Sequence, residues 1–263
     1  MRRDERVKRP MYRKHLSWIA AILAFILMMT VAGVGAQEST PIPLIQTLNA
    51  RMSGAFGGDA TPSASVADDF EALIESLPKS RTEDGAFVLG AADAPITLVV
   101  FEDFGCPHCQ DYHETITAFI RDHVATGEAA LETRIFPTAG GQLTAGVSQV
   151  LDCAETQQEN IFWTAYMGLY DLALAGSYEN DAIITLFEDL NIDITAALEC
   201  AQTVERVTTD VEYGQSLGVA GTPAILVRIG DAEPTFITLN DVTYNRGSVP
   251  LDVLAEVVAE ANS

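Results

Sequence analysis

The chain has 263 residues, with 15 Lys plus Arg against 37 Asp plus Glu and a net charge of −22. Beyond residue 36 only eight basic residues remain against 35 acidic ones, and Lys79 is the sole lysine. Such a field repels phosphate, which excludes nucleic-acid binding and adhesion to anionic lipid as principal roles and leaves a solvated acidic surface.

Seven of the basic residues crowd into residues 1–16: Arg2, Arg3, Arg6, Lys8, Arg9, Arg13 and Lys14. An uncharged run from Trp18 to Gly35 follows. As a helix it would be about 27 Å long, close to the hydrocarbon thickness of a bilayer. The basic cluster would hold the N-terminus in the cytoplasm and send the rest outside. A cleaved signal peptide ending near Val34-Gly35-Ala36 is the rival reading, against which the length of the run argues. Residues 37–80 read as an extracytoplasmic linker rich in Pro, Gly and Ser, with short helical pieces at about 44–52 and 67–77.

The domain is expected over 81–263. Ala86–Leu89 is a short strand, and Ile96–Glu102 is a buried strand running into Cys106-Pro107-His108-Cys109. A helix from about Pro107 to His123 turns Tyr112, Ile116, Phe119 and Ile120 toward a core. His113 and His123 on it read as surface or packing residues. Ala130–Phe136 is a second central strand, closed by Pro137 and the glycines at 140 and 141. Helical periodicity then fills 143–156, 160–175, 180–190 and 194–203, an insertion over about 142–204, and continues through 206–217. Strands at 224–228 and 236–239 form a hairpin, and Pro250 opens a closing helix over 251–260. The order β-β-α-β, helices, β-β-α predicts an α/β fold.

Cys106 and Cys109 carry the chemistry. A strand delivers them to the first turn of a helix, where unpaired N–H groups and the macrodipole favour negative charge. Cys106 is therefore expected to be a thiolate at a pH where an ordinary cysteine is protonated. Pro107 suits the first helical position, and a protonated His108 would add a second attraction to the thiolate. Cys109, one turn on and shielded, can attack a mixed disulfide at Cys106. Half of a zinc site is one alternative, but structural zinc needs four ligands, usually from a second C-x-x-C or a histidine pair, whereas Cys153 and Cys200 lie far apart in sequence and the other histidines form no such pair. A purely structural Cys106–Cys109 bridge is the other alternative.

The stretches Phe101-Glu102-Asp103-Phe104-Gly105-Cys106-Pro107-His108-Cys109 and Gly218-Val219-Ala220-Gly221-Thr222-Pro223-Ala224, with a helical insertion between them, resemble the DsbA-like branch of the thioredoxin fold over roughly residues 81–262. The resemblance implies a thioredoxin fold with an inserted helical subdomain. It implies a cis Pro223 beside the sulfurs, and a Thr222 whose backbone binds an extended substrate strand. It also implies a structural disulfide between Cys153 and Cys200, as expected of spare cysteines in an oxidising compartment. Closing that loop of about 47 residues is worth roughly 4 kcal/mol on the chain-entropy account, whose mechanism is disputed. A second redox relay is the alternative for this pair.

One position departs from the family pattern. A buried acid commonly lies six residues before the first active cysteine, where this chain has Val100. Glu102, on the same strand face by alternation, either replaces it as proton-handling acid for Cys109 or is an ordinary strand-end residue. Asp103 matches a common family position without an assigned role.

A lowered Cys106 pKa stabilises the dithiol and makes the disulfide an oxidant. The resemblance thus implies a monomeric dithiol oxidase with no cofactor beyond the Cys106–Cys109 disulfide. It would act on exported thiol-containing proteins and be reoxidised by a quinone-linked membrane partner. Three alternatives stand beside it: a reductase or isomerase fed electrons across the membrane, a thioredoxin-like binding module with an inert bridge, and a copper-handling protein using Cys106, Cys109 and a histidine.

Overall fold

The computed structural model describes residues 64–263. The basic tail, the apolar run and the linker up to residue 63 lie outside the described residues. Among the described residues no helix is long and apolar enough to cross a membrane.

Helix α1, Ala64–Ser76, falls inside the stretch read as linker, and strand β1, Lys79–Arg81, straddles its end. Phe70 and Ile74 of α1 are buried in the main core, so the helix is part of the folded unit. Strand β1 was hidden from pattern reading because its Lys-Ser-Arg sequence is half-buried to exposed and carries no apolar alternation. It pairs antiparallel with β2, Phe87–Leu89.

Strand β3, Ile96–Glu102, has six of its seven residues buried. A run buried on both faces suits the middle of a covered sheet. There β3 pairs parallel with β4, Ala129–Ile135, and antiparallel with β5, Ala224–Ile229. The seven strands run β1-β2-β4-β3-β5-β6-β7, with β6 at Thr235–Leu239 and β7 at Val242–Tyr244. The β6–β7 turn uses Asn240 and Asp241, both at positive φ (51° and 66°). Two such residues favour a tight hairpin, and Asn and Asp tolerate the left-handed region.

Side chains alternate across β3. Leu98 and Val100 face the large core, built with α2 (Pro107–Phe119), its π-helical continuation Ile120–Val124 and α8 (Leu251–Ala261). Val99 and Phe101 face a smaller core with Phe136, Val219, Ala224 and Leu226. Between β4 and β5 lie α3 (Gly141–Gln157), α4 (Ile161–Leu174), α5 (Asn180–Asp189), α6 (Ile194–Cys200) and α7 (Arg206–Ser216). Helix α4 is the centre of this insertion, with Phe162, Trp163, Tyr166, Leu169 and Tyr170 buried. A Cys153–Cys200 disulfide, with Cα atoms 5.9 Å apart, joins α3 to α6.

The smaller face also holds buried charge. Arg134 on β4 reaches Glu132 at 2.6 Å, Asp84 at 2.7 Å and Asp210 at 3.2 Å. Arg206 pairs with Asp210 at 2.6 Å, and Arg228 with Glu132 at 2.6 Å. Three arginines and three carboxylates are matched, and the Arg134 guanidinium also lies 4.1 Å from the centre of the Tyr213 ring. Matched in this way, the buried charges avoid the large penalty of an unpaired ion.

Candidate active site

Cys106 is the N-cap of α2, in extended backbone (φ −87°, ψ 118°), and Pro107 occupies the first turn. Its carbonyl accepts from the N–H groups of Cys109 and Gln110 at 3.0 and 3.1 Å. The sulfur stands where a capping oxygen would. It forms no regular capping bond as a thiol, but the backbone N–H groups of Cys109 and His108 face it and stabilise its anion. Burial pushes the Cys106 thiol up, yet hydrogen bonding from the Thr222 side chain, then from those two backbone groups, holds it below the ordinary cysteine value. The thiol also donates to the Thr222 carbonyl at 3.4 Å. Thr222–Pro223 is a cis peptide bond. The ring of His108 is exposed.

Cys109 behaves oppositely. It is buried and unbridged. Burial pushes its thiol well above the ordinary range, and the Glu102 and Cys106 charges add to that, against hydrogen bonds from Asp103 and Thr222. One sulfur is therefore prepared as an anion and its neighbour as a protonated thiol.

Glu102 lies behind Cys109, 2% exposed, on the large-core face of β3. Its carboxylate accepts from Tyr170 Oη at 2.5 Å, Tyr166 Oη at 3.0 Å and the hydroxyl of Thr133. Burial raises its pKa, and the three hydroxyls only partly oppose the rise. No cation joins it. Its partners come from β4 and from α4, up to 68 residues away in sequence.

Asp103, fully buried, binds the loops around the sulfurs together. Its carboxylate accepts from the N–H groups of Gly105 (2.9 Å), Thr138 (2.6 Å) and Gly140 (2.8 Å) and from the hydroxyls of Thr138 (3.0 Å) and Thr144 (2.6 Å). Thr138 Oγ1 in turn lies 2.6 Å from Thr222 Oγ1. One carboxylate thus connects the redox loop, the start of the insertion and the cis-proline loop. Gly105 and Gly140 meet backbone to backbone here; a Cβ on Gly105 would come within 2.5 Å of the Gly140 Cα.

His113, one turn beyond Cys109, is a packing residue. Its ring stacks on Tyr170 at 4.0 Å, and its Nδ1 has no partner among the described residues. Burial pushes it down from 6.5 to about 4. The folded state then binds fewer protons than the unfolded one between those values. Its contribution is complete above pH 6.5 and is lost as pH falls toward 4, about 3 kcal/mol in all. Glu102 titrates in the opposite sense and is common to any His113 variant. Urea unfolding at pH 7 and pH 4.5 should therefore show a stability gap about 2–3 kcal/mol smaller in His113→Phe, which keeps the stack; an unchanged gap would refute this assignment.

Of the residues singled out from sequence, Cys106, Pro107, Cys109, Thr222, Pro223 and Glu102 gather at one end of β3, with His108 at their rim. Cys153 and Cys200 pair elsewhere. The two tyrosines of α4, Thr133, Thr138 and Thr144 were not anticipated. The spacing of Tyr166 and Tyr170, four apart within a largely apolar helix, was the one available signal for the first two.

The sequence profile of the family described as Thioredoxin matches residues 82–233, more than half of the chain. A protein named probable disulfide bond formation protein D from Bacillus anthracis is 26% identical over 165 residues, covering 57% of this chain and 73% of the relative. A protein of the same name from Bacillus cereus is 26% identical over 157 residues, covering 56% and 72%. Among solved structures, a thioredoxin-like oxidoreductase from Silicibacter pomeroyi DSS-3 gives a TM-score of 0.55 at 19% identity over 69% of this chain and 94% of that one. Wolbachia pipientis alpha-DsbA1 gives 0.55 at 16% identity over 69% and 92%, a likeness of fold. With the profile spanning the strand, the cysteine pair and the insertion, this chain belongs to the thioredoxin family, as a thiol:disulfide oxidoreductase.

Proposed function

We propose that the protein is an extracytoplasmic dithiol oxidase that introduces disulfides into exported proteins. The observation that carries this reading is the opposed acidity of the two thiols, Cys106 lowered and Cys109 raised. In the disulfide form, a substrate thiolate attacks Cys106 Sγ, the Cys106–Cys109 bond breaks, and Cys109 leaves with the electron pair. Glu102, a buried acid of raised proton affinity, gives Cys109 its proton and becomes a carboxylate held by Tyr166, Tyr170 and Thr133. A second substrate thiolate then attacks the substrate sulfur of the mixed disulfide and expels Cys106 as a thiolate. A low-pKa thiol leaves fast. The substrate loses two electrons, and the dithiol that remains is reoxidised by a membrane partner.

The location rests on the basic residues 1–16 followed by the uncharged run 18–35, read as one membrane anchor with a linker behind it. The folded part is read as a monomer needing no cofactor beyond its own cysteine pair.

Equilibration of the full chain in glutathione buffers, with thiolate absorbance followed in parallel, tests the direction. A potential on the order of −120 mV is expected, as for a disulfide donor. A potential near −270 mV, roughly that of thioredoxin, would overturn it in favour of a reductase.

A further inference from the structure

A groove of about 740 Å³ opens beside the redox sulfurs. The segment Gly218 to Ala224 forms one side of it, and Phe236, Asn245 and Arg246 of the β6–β7 hairpin region form another. Although acidic residues outnumber basic ones several-fold over residues 64–263, no carboxylate lines this groove.

The described residues include seven cations, and six are committed elsewhere. Arg81 pairs with Asp152, and Arg134, Arg206 and Arg228 belong to the buried charge cluster. Lys79 Nζ donates to the carbonyls of Ile74, Glu75 and Leu77. The Arg121 guanidinium sits 4.4 Å from the centre of the Phe70 ring. Arg246 is the seventh. It is exposed, makes no ion pair or hydrogen bond among the described residues, and lines the groove.

We infer that this groove receives an extended substrate segment carrying a carboxylate close to its cysteine, and that Arg246 is the residue that selects it. The inference rests on the reading of Cys106 as the sulfur attacked by protein substrates. The opposing physics is the net charge of the chain, which repels anionic partners at range. Beyond about 8–10 Å ordinary salt screens that repulsion. At contact, inside a groove free of carboxylates, an unpaired guanidinium is the nearest charge and decides the sign.

The test uses three dithiol peptides that differ only in the residues flanking the cysteines, Glu, Gln or Lys, each oxidised by the full chain in its disulfide form. At low salt the Glu peptide should react about twofold to fivefold faster than the Gln peptide, the range of an exposed ion pair, with the Lys peptide slowest. High salt should compress the series. The Glu-to-Gln rate ratio should fall to about one in Arg246→Gln and persist in Arg246→Lys and in Arg121→Gln, where charge is removed away from the groove. A Lys peptide that reacts fastest, as net charge alone dictates, or a Glu preference that survives Arg246→Gln, overturns the inference. Failure of all three peptides to be oxidised overturns the oxidase reading, and the substrate class with it.

Discussion

Cys109→Ala should convert the protein from a turnover catalyst into a trap. The variant keeps Cys106 at the N-cap of α2, with the Thr222 hydroxyl and the backbone N–H groups of His108 and Cys109 still acting on the sulfur. It lacks the buried thiol that forms the internal disulfide and that would otherwise resolve a stalled complex from within. Mixed disulfides with substrate should therefore accumulate at Cys106 and appear as reducible high-mass species. Catalytic oxidation of a dithiol substrate should fall at least about a thousandfold, the scale on which losing a covalent nucleophile acts. Alkylation of Cys106 at mildly acidic pH should persist, because the Thr222 hydroxyl and the two backbone N–H groups remain and only the smallest contribution, from the Cys109 thiol, is lost. Absence of trapped complexes in cells rich in exported thiol proteins would sink the oxidase reading.

Glu102→Gln should slow the reductive half of the cycle. Glutamine matches the shape of the acid and can still accept from Tyr166 and Tyr170, but it carries no transferable proton. Loss of a positioned general acid is worth about a hundredfold or more. Reduction of the enzyme disulfide by a dithiol should drop by about that factor, and its pH dependence should flatten across the range where the buried acid titrates. The Cys109 thiol should also become more acidic, since the Glu102 charge is one of the causes that raise it. Alkylation of Cys106 is the control, because Glu102 is not among the groups acting on that sulfur. A variant that folds as the parent does and reduces at the parent rate with the parent pH profile would leave Glu102 as packing alone.

The strands and helices that set the fold were legible where burial is one-sided or complete. Ile96–Glu102 announces itself as a continuous apolar run, and the helices of the insertion by their 3.6-residue period. The cysteine pair was legible because its chemistry is local: a cap position, a proline and a helix terminus all lie within four residues. Less was visible where partners are distant. Asp103 could be noted but not explained, since its donors sit at 105, 138, 140 and 144. Alternation alone does not choose between the two roles open to Glu102; what distinguishes it is Tyr166 and Tyr170, which reach it only after α4 has docked. The charge cluster around Arg134 was hidden for the same reason, as Asp84 and Asp210 lie 50 and 76 residues from it. Strands β1 and β7 were missed because three-residue edge strands, largely exposed, have no periodicity to display.

The central pairing of β3 with β5 bears on how the chain reaches this state. Ile96 stands opposite Ile229 and Phe101 opposite Ala224, so the heart of the sheet closes only after the whole insertion has been synthesised. Joining such remote ends is inexpensive at equilibrium, since closure entropy grows with the logarithm of loop length and each doubling adds about 0.6 kcal/mol. It is demanding in time, because non-local contacts reward the chain only after that entropy is lost. The β3–α2–β4 unit is contiguous and can form early. Until β5 arrives, the unit exposes one flank of β3 as an unpaired edge, which is the hazard that such edges present to neighbouring chains. The cis-proline loop enters immediately before β5, so the reactive cysteine acquires its Thr222 contacts in the same late event that covers that edge. Redox competence is thereby acquired late, when the centre of the sheet closes.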